Sequence, residues 1–203
     1  MNSVPASISY DWGERLPTLR TPRLDLRWIE LAEAPEMFAI YSHPEVVRYW
    51  DGPGVPDLPK ATAMIEDIHR LFHARVLFQW GIARRDTGRL IGGCTLFQME
   101  LKHRRGTIGY AVGREHWGQG YAQEAITALL DFAFDALDFH RIEADVDPRN
   151  ARSLRLLEKL GFRREGEMRE RYFVRDEIQD SAWYGLLARD WRRGARRRAT
   201  TTA

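Results

Sequence analysis

The chain has 203 residues, 44% hydrophobic and 30% charged, a balance that suits one globular domain with its own core and excludes a disordered polypeptide. No apolar run nears the roughly 20 residues of a membrane helix, and the opening MNSVPASISYDWGERLPTLR lacks the basic and apolar regions of a leader, so no membrane partner is expected. A single cysteine, Cys94, leaves no internal disulfide and no cysteine-based zinc site, and the expected location is cytoplasmic.

Residues 1–20 read as an N-terminal extension. RLDLRWI (23–29) alternates Leu24, Leu26 and Trp28 with charged residues, the pattern of a half-buried strand. Residues 31–42 read as a short helix, and HPEVVRYWDGPGVPD as a loop dense in proline and glycine. A helix follows from Pro59, with Ala61, Ile65, Ile68 and Phe72 at helical spacing. His69 and His73 lie four apart on it, but with no third ligand in the pattern the histidines read as surface residues and no metal is expected.

VLFQWGIARR, the turn DTG and RLIGGCTLFQMEL predict an antiparallel hairpin, with Cys94 in the core. After the basic turn KHRRG, TIGYAVG predicts a further strand. The strongest helix comes next: Ala122, Ala125, Ile126, Leu129, Leu130, Ala133, Phe134 and Leu137 share one face. RIEADV reads as a strand, NARSLRLLEKLG as a helix, and FRREGEMRERYFV and IQDSAWYGLLA as two strands around RDE. Strands mostly joined by hairpins, with helices between them, predict an α+β sheet. Residues 21–191 form the predicted domain. Residues 192–203 hold five arginines and no acid and read as a basic flexible tail, a solvated end rather than a nucleic-acid contact.

EHWGQGYAQEA (115–125) carries the clearest chemistry. Two glycines stand one residue apart where a helix begins. A helix N-terminus has N–H groups without intrahelical partners and a partial positive charge, and glycines let an anion reach them. The same residues also make an ordinary turn. Downstream, Asp147-Pro148 turns the chain and Asn150 is a favoured helix N-cap, while Gly161 suits a left-handed C-cap with Phe162 packing after it.

TIGYAVG, the glycine turn, the long helix, RIEADV and DPRNARSLRLLEKLGF, in that order, resemble the GNAT acetyltransferase superfamily. The likeness is greatest to its RimJ/RimL-type protein N-acetyltransferase branch and covers roughly residues 20–191. The resemblance implies a mixed, mostly antiparallel twisted sheet with helices on both faces and two strands splayed around acetyl-CoA. Trp117, Gly118, Gln119, Gly120, Tyr121 and Ala122 occupy the family's Q/R-x-x-G-x-G/A positions, where backbone N–H groups hold the diphosphate; Trp117 replaces the usual Arg or Gln. Pantetheine would pair with the strand edge at Tyr110, Ala111 and Val112, with Asn150 facing its arm and Ser153 near the sulfur.

Many members place a tyrosine acid where this chain has Leu157, and a glutamate base where it has Thr107. Ser153 is therefore expected to protonate or stabilise the leaving thiolate, and Glu100 to stand in as base, with Asp145 a second candidate. Tyr49 and Trp50 would wall the acceptor site, or alternatively anchor their loop. The implied activity is transfer of acetyl from acetyl-CoA to a primary amine, first of all a protein N-terminal α-amine, by direct attack in a ternary complex. The alternatives are a small-molecule amine acetyltransferase (antibiotic, polyamine or amino acid) and a non-catalytic acyl-CoA-binding regulator. A monomer or homodimer is expected.

Overall fold

Leu24 and Leu26 lose all contact with solvent, and the strand that carries them is the second of eight. The computed structural model describes residues 10–50 and 52–201, with side chains described through residue 194. Strands β1 (Leu19–Arg20) and β2 (Leu24–Arg27) pair antiparallel. Trp28, past the end of β2, stacks on His69 with ring centroids 4.2 Å apart, and His69 Nε2 lies 2.8 Å from the Ile29 carbonyl oxygen. The surface reading of His69 is thereby corrected: an imidazole beside an indole is covered by it.

Helix α1 (Ala34–Tyr41) follows one 3-10 turn, and α2 (Leu58–His73) starts where the Asp57 carboxylate accepts the Lys60 N–H at 2.8 Å. Ala61, Ile65, Ile68 and Phe72 are buried, as their spacing predicts. Next come β3 (Leu77–Arg84), β4 (Leu90–Glu100) and β5 (Arg105–Val112), three successive antiparallel strands. Helix α3 (Tyr121–Asp131) opens into a π-turn at Phe132–Ala136 before β6 (Arg141–Val146). Then α4 (Ala151–Leu160), the hairpin β7 (Arg163–Val174) and β8 (Glu177–Leu187), and α5 (Ala188–Thr201) complete the chain.

The sheet order is β1-β2-β3-β4-β5-β6-β8-β7, and β5 with β6 is the parallel pair among antiparallel neighbours. Met37, Ile40 and Ile65 cover one face from α1 and α2; Leu129, Leu157 and Trp191 cover the other from α3, α4 and α5. Cys94 is buried in the second core, as predicted.

Two expected boundaries look different in three dimensions. Of the predicted extension, residues 1–9 lie outside the described residues, but Leu16 is buried and the Trp80 indole donates to the Pro17 carbonyl at 2.8 Å. At the other end α5 continues through Thr201, where a flexible tail from residue 192 was predicted. Trp191 donates to Asp131 at 2.8 Å and Arg192 to the Phe134 carbonyl at 3.0 Å, so docking of the helix passes the expected break. Deleting residues 195–203 should therefore leave turnover unchanged and move the melting temperature by no more than about 2 °C. A large loss of turnover at an unchanged melting temperature would assign the arginines a part in acceptor recruitment.

Candidate active site

The parallel ladder between β5 and β6 is short. It joins Arg105 to Arg141, Gly106 to Ile142 and Thr107 to Glu143, and there it stops. Beyond it β5 stays with β4 as far as Val112, and β6 stays with β8 as far as Val146. Each strand thus keeps one edge without a ladder partner, at Ile108–Val112 and Ala144–Val146. An unpaired edge offers N–H and C=O groups to any ligand that carries amides.

The glycine turn lies at the open end of this gap. Gly118 has φ +77° and Gly120 φ +80°, conformations that L side chains rarely adopt. A Cβ on Gly118 would meet nothing within 4 Å, and one on Gly120 only the Arg23 guanidinium at 3.5 Å. Gly120 is the N-cap of α3 and offers no side-chain cap. Glycine in place of a capping side chain costs roughly a few tenths of a kcal/mol, whereas each buried side chain such as Ile126, Leu129 or Leu130 contributes roughly 1.5–3 kcal/mol. Packing decides that the helix forms, and its first N–H groups remain available to an anion.

The turn is held from outside. Arg23 donates to the Gln119 carbonyl at 3.0 Å and pairs with Glu124 at 2.6 Å, while Thr21 donates to the same carboxylate. The Trp117 indole donates to the Val112 carbonyl at 2.7 Å, tying the turn to the end of β5. Its ring packs beside two guanidiniums, Arg152 at 4.4 Å and Arg114 at 4.9 Å. Position 117 carries no cation itself, but two guanidiniums use its indole as a platform. The Gln119 side chain donates to the Glu115 carbonyl at 3.0 Å, Tyr121 is buried under Arg23, and Ala122 is half-buried.

Across the gap, α4 begins as its sequence predicts. Asn150 Oδ1 accepts the Ser153 N–H at 3.2 Å, and Asp147 Oδ1 accepts the Arg149 N–H at 2.8 Å. Ser153 Oγ lies 2.6 Å from the Tyr110 hydroxyl, so a residue assigned for its backbone also contributes its side chain. Leu157 is fully buried and serves packing. At the far end Gly161 has φ +94°, and the Phe162 N–H reaches the Leu157 carbonyl at 3.0 Å, closing the predicted cap.

The other face of the sheet carries the acids. Alternation along β6 turns Ile142, Ala144 and Val146 into the α3–α4 core and Glu143 and Asp145 to the opposite side. Asp145 accepts hydrogen bonds from Tyr172 at 2.5 Å and from Ser181. Burial, together with Asp145 beside it, holds the Tyr172 phenol above its ordinary range. Glu143, 6% exposed, is gripped by Arg105 at 3.0 Å and Arg141 at 2.7 Å. Arg141 also pairs with Glu165 at 2.5 Å and holds that carboxyl below the usual range.

Glu100 pairs with Arg105 in register and by side chain, at the closed end of the gap. The structure does not bring it to Ser153: the ladder from Arg105 to Thr107 intervenes, and the arginine occupies its carboxylate. Thr107 is buried and donates to Gln98 at 3.2 Å. A cavity of about 650 Å³ lies beside them, its apolar wall formed by Leu71, Val76, Leu77, Phe97 and Trp183. Nothing in the local sequence pattern marks this cavity, since its walls come from α2, β3, β4, β5, β6 and β8 and from the segment that joins α2 to β3.

The α1–α2 loop closes the upper rim. Trp50 packs on Tyr41 with centroids 4.8 Å apart and is chiefly an anchor of the loop. Tyr49 lies beneath Arg149, 6.0 Å from its ring centroid, and Arg149 joins Asp147 to Glu177. Arg175, in the β7–β8 turn, donates to the Val47 and Gly52 carbonyls at 2.7 and 3.0 Å. The loop, the hairpin and the start of α4 thus meet over one end of the gap. No group of histidines, cysteines or acids that could hold a metal ion occurs among the described residues, and no helix there is long and apolar enough to cross a membrane.

Known proteins are similar to this chain in sequence and fold. The family model for the acetyltransferase (GNAT) domain matches residues 23–163. The uncharacterised N-acetyltransferases p20 of Bacillus licheniformis and YoaA of Bacillus subtilis are 35% and 37% identical to this chain. They cover 87% and 84% of it, and 99% and 97% of their own lengths. The crystal structure of a GNAT-family acetyltransferase from Bacillus anthracis superposes with a TM-score of 0.76 over 85% of this chain and 99% of its own, at 24% identity, a likeness of fold. A family match over most of the chain, with relatives aligned along nearly their whole lengths, shows that the chain belongs to the GNAT family of N-acetyltransferases.

Proposed function

We propose that this acetyltransferase acts on a single primary amine, in the first place the α-amine of a protein or peptide N-terminus, as in the RimJ/RimL-type branch. Asp145 carries this reading. It faces the acceptor side of the gap and is held by two hydroxyls. Around it Glu100, Glu143, Glu165, Asp147 and Glu177 are all committed to arginines. A polyamine would call for several uncommitted carboxylates, and Asp145, paired in register with Trp183 of the cavity wall, suits one ammonium with an apolar neighbour. Relatedness does not choose: YdaF of Bacillus subtilis, named as a candidate ribosomal N-acetyltransferase, is 31% identical over 51% of this chain. A spermidine N(1)-acetyltransferase of Vibrio cholerae is 33% identical over 45%.

Acid–base chemistry supports an α-amine. An α-amino group titrates near ~7.8, so roughly a tenth is free at neutral pH, against about one part in 2,500 for a lysine-like amine. A lone carboxylate is then base enough. In this reading the turn from Trp117 to Ala122 holds the diphosphate of acetyl-CoA, with Arg114 and Arg152 beside it. The β5 edge from Tyr110 to Val112 pairs with pantetheine, and the Asn150 amide faces its arm. Asp145 takes the proton as the amine attacks, and Ser153 stabilises the sulfur as the C–S bond breaks. Binding both reactants in one gap supplies much of the rate. Cys94 is no acetyl carrier, since it is buried and burial pushes its thiol up.

The test is thiol release from acetyl-CoA against a panel of N-terminal peptides and a panel of polyamines. Peptides should turn over and spermidine should not; the reverse result would sink the α-amine reading. Asp145→Asn should lower kcat/KM on a peptide by about fivefold to tenfold at neutral pH. That deficit should shrink above about pH 8, where the α-amine is already deprotonated. A deficit that does not change with pH would make Asp145 a structural anchor for Tyr172 and Ser181.

A further inference from the structure

Tyr110 and Ser153 stand 43 positions apart, yet their hydroxyl oxygens lie 2.6 Å from one another across the gap. The serine backbone is fixed, because its N–H is held by Asn150 in the first turn of α4. The tyrosine ring is fixed as well, packed on the core formed with α3 and α4. The direction of the hydrogen bond between them therefore matters. If the serine donates to the phenol, its single proton is used and it can meet a ligand only as an acceptor. If the phenol donates to the serine, the serine proton is free to point elsewhere.

We propose that Tyr110 is a positioning residue for acetyl transfer: its phenol donates to Ser153 Oγ, which turns the serine proton toward the sulfur of CoA and stabilises the departing thiolate. The inference rests on the reading of Ser153 given above and adds to it the source of the serine's orientation. It also places a phenol at this end of the gap although Leu157, one turn further along α4, has none.

Stabilisation rather than proton delivery is the step that the chemistry allows. Burial pushes the Tyr110 phenol up to about 12, whereas a thiol of ordinary acidity titrates near ~8.5. Full transfer of the phenolic proton to the thiolate is then disfavoured by roughly 3,000-fold. The electron pair of the breaking C–S bond stays on sulfur, where it accepts the serine O–H. The amine's proton leaves on Asp145 or water, and the acetyl carbon ends bonded to nitrogen.

Free CoA bound to the protein gives a readout that needs no acceptor. Its thiol is titrated by thiolate ultraviolet absorbance on the wild type, Tyr110→Phe, Ser153→Ala and the double variant. Tyr110→Phe keeps the ring in the core, and melting curves check the fold of all four proteins. A hydrogen bond to the charged form favours it, so Ser153→Ala should show about tenfold less thiolate at a given pH, and Tyr110→Phe about threefold to tenfold less. The double variant should be no worse than Ser153→Ala alone, as expected for two residues acting in series. Where a peptide acceptor turns over, Tyr110→Phe should lower kcat in parallel and leave the KM for acetyl-CoA within about twofold.

A Tyr110→Phe protein that titrates like the wild type, beside a shifted Ser153→Ala protein, overturns this inference and leaves the serine reading in place. Additive losses in the double variant overturn it as well, because Tyr110 would then act independently. A Ser153→Ala protein that titrates like the wild type removes the serine reading itself, and this inference falls with it.

Discussion

Replacing Ser153 with alanine should lower kcat by roughly tenfold to a thousandfold while acetyl-CoA affinity changes little, the range for a lost acid or oxyanion-type donor. The interaction strengthens only as charge develops on sulfur, so its loss falls on the transition state rather than on ground-state binding. Helix α4 should keep its start, because the cap uses the Ser153 backbone N–H, which alanine retains. The substitution does leave the Tyr110 hydroxyl without its 2.6 Å partner, at a stability cost of about 1 kcal/mol. Turnover at saturating acetyl-CoA and a melting curve on the same protein separate the two effects. Unchanged turnover would reduce Ser153 to a first-turn residue and leave the thiolate to solvent.

Gly120→Val should weaken acetyl-CoA binding by tenfold to a hundredfold, about 1.4–2.7 kcal/mol. Two causes add. A β-branched residue at φ +80° is strained, so the turn shifts to relieve it. The new methyl groups also approach the Arg23 guanidinium, 3.5 Å from where a Cβ would stand, which fastens the turn through the Gln119 carbonyl. Calorimetry on a folded variant is the measurement. Full affinity there would remove the diphosphate from this turn and leave the helix N-terminus without an assigned ligand.

These effects concern residues that the sequence marked, and the reason they were legible is local. Helical spacing placed Ala61, Ile65, Ile68 and Phe72 in the core without any knowledge of what they would touch. The glycines at 118 and 120, the cap at Asn150 and the left-handed Gly161 follow from the backbone chemistry of single positions. The order of strand, glycine turn and helix was enough to indicate the family and hence the sheet. Even the missing tyrosine at Leu157 was visible, and Ser153 was read as its substitute, although the Tyr110 hydroxyl beside that serine was not.

Those local rules by themselves determined which residues turn inward, where most elements begin, and that two glycines in the left-handed region stand at the head of α3. The tertiary structure alone decided how far the parallel ladder runs. It stops at Thr107 and Glu143, and that stop, not any motif, sets where the gap opens. It put Glu100 at the closed end in the grip of Arg105, and Asp145 between Tyr172 and Ser181 on the face away from α3 and α4. It also brought Tyr110 to Ser153, and carried α5 past the expected tail. The physical reason is the range of the forces that choose. Periodicity and turn chemistry are settled among neighbours along the chain, within a few residues. The partner of a hydroxyl or carboxylate depends on which strands lie side by side, and that is settled only when helices and strands many residues apart bury their apolar faces together.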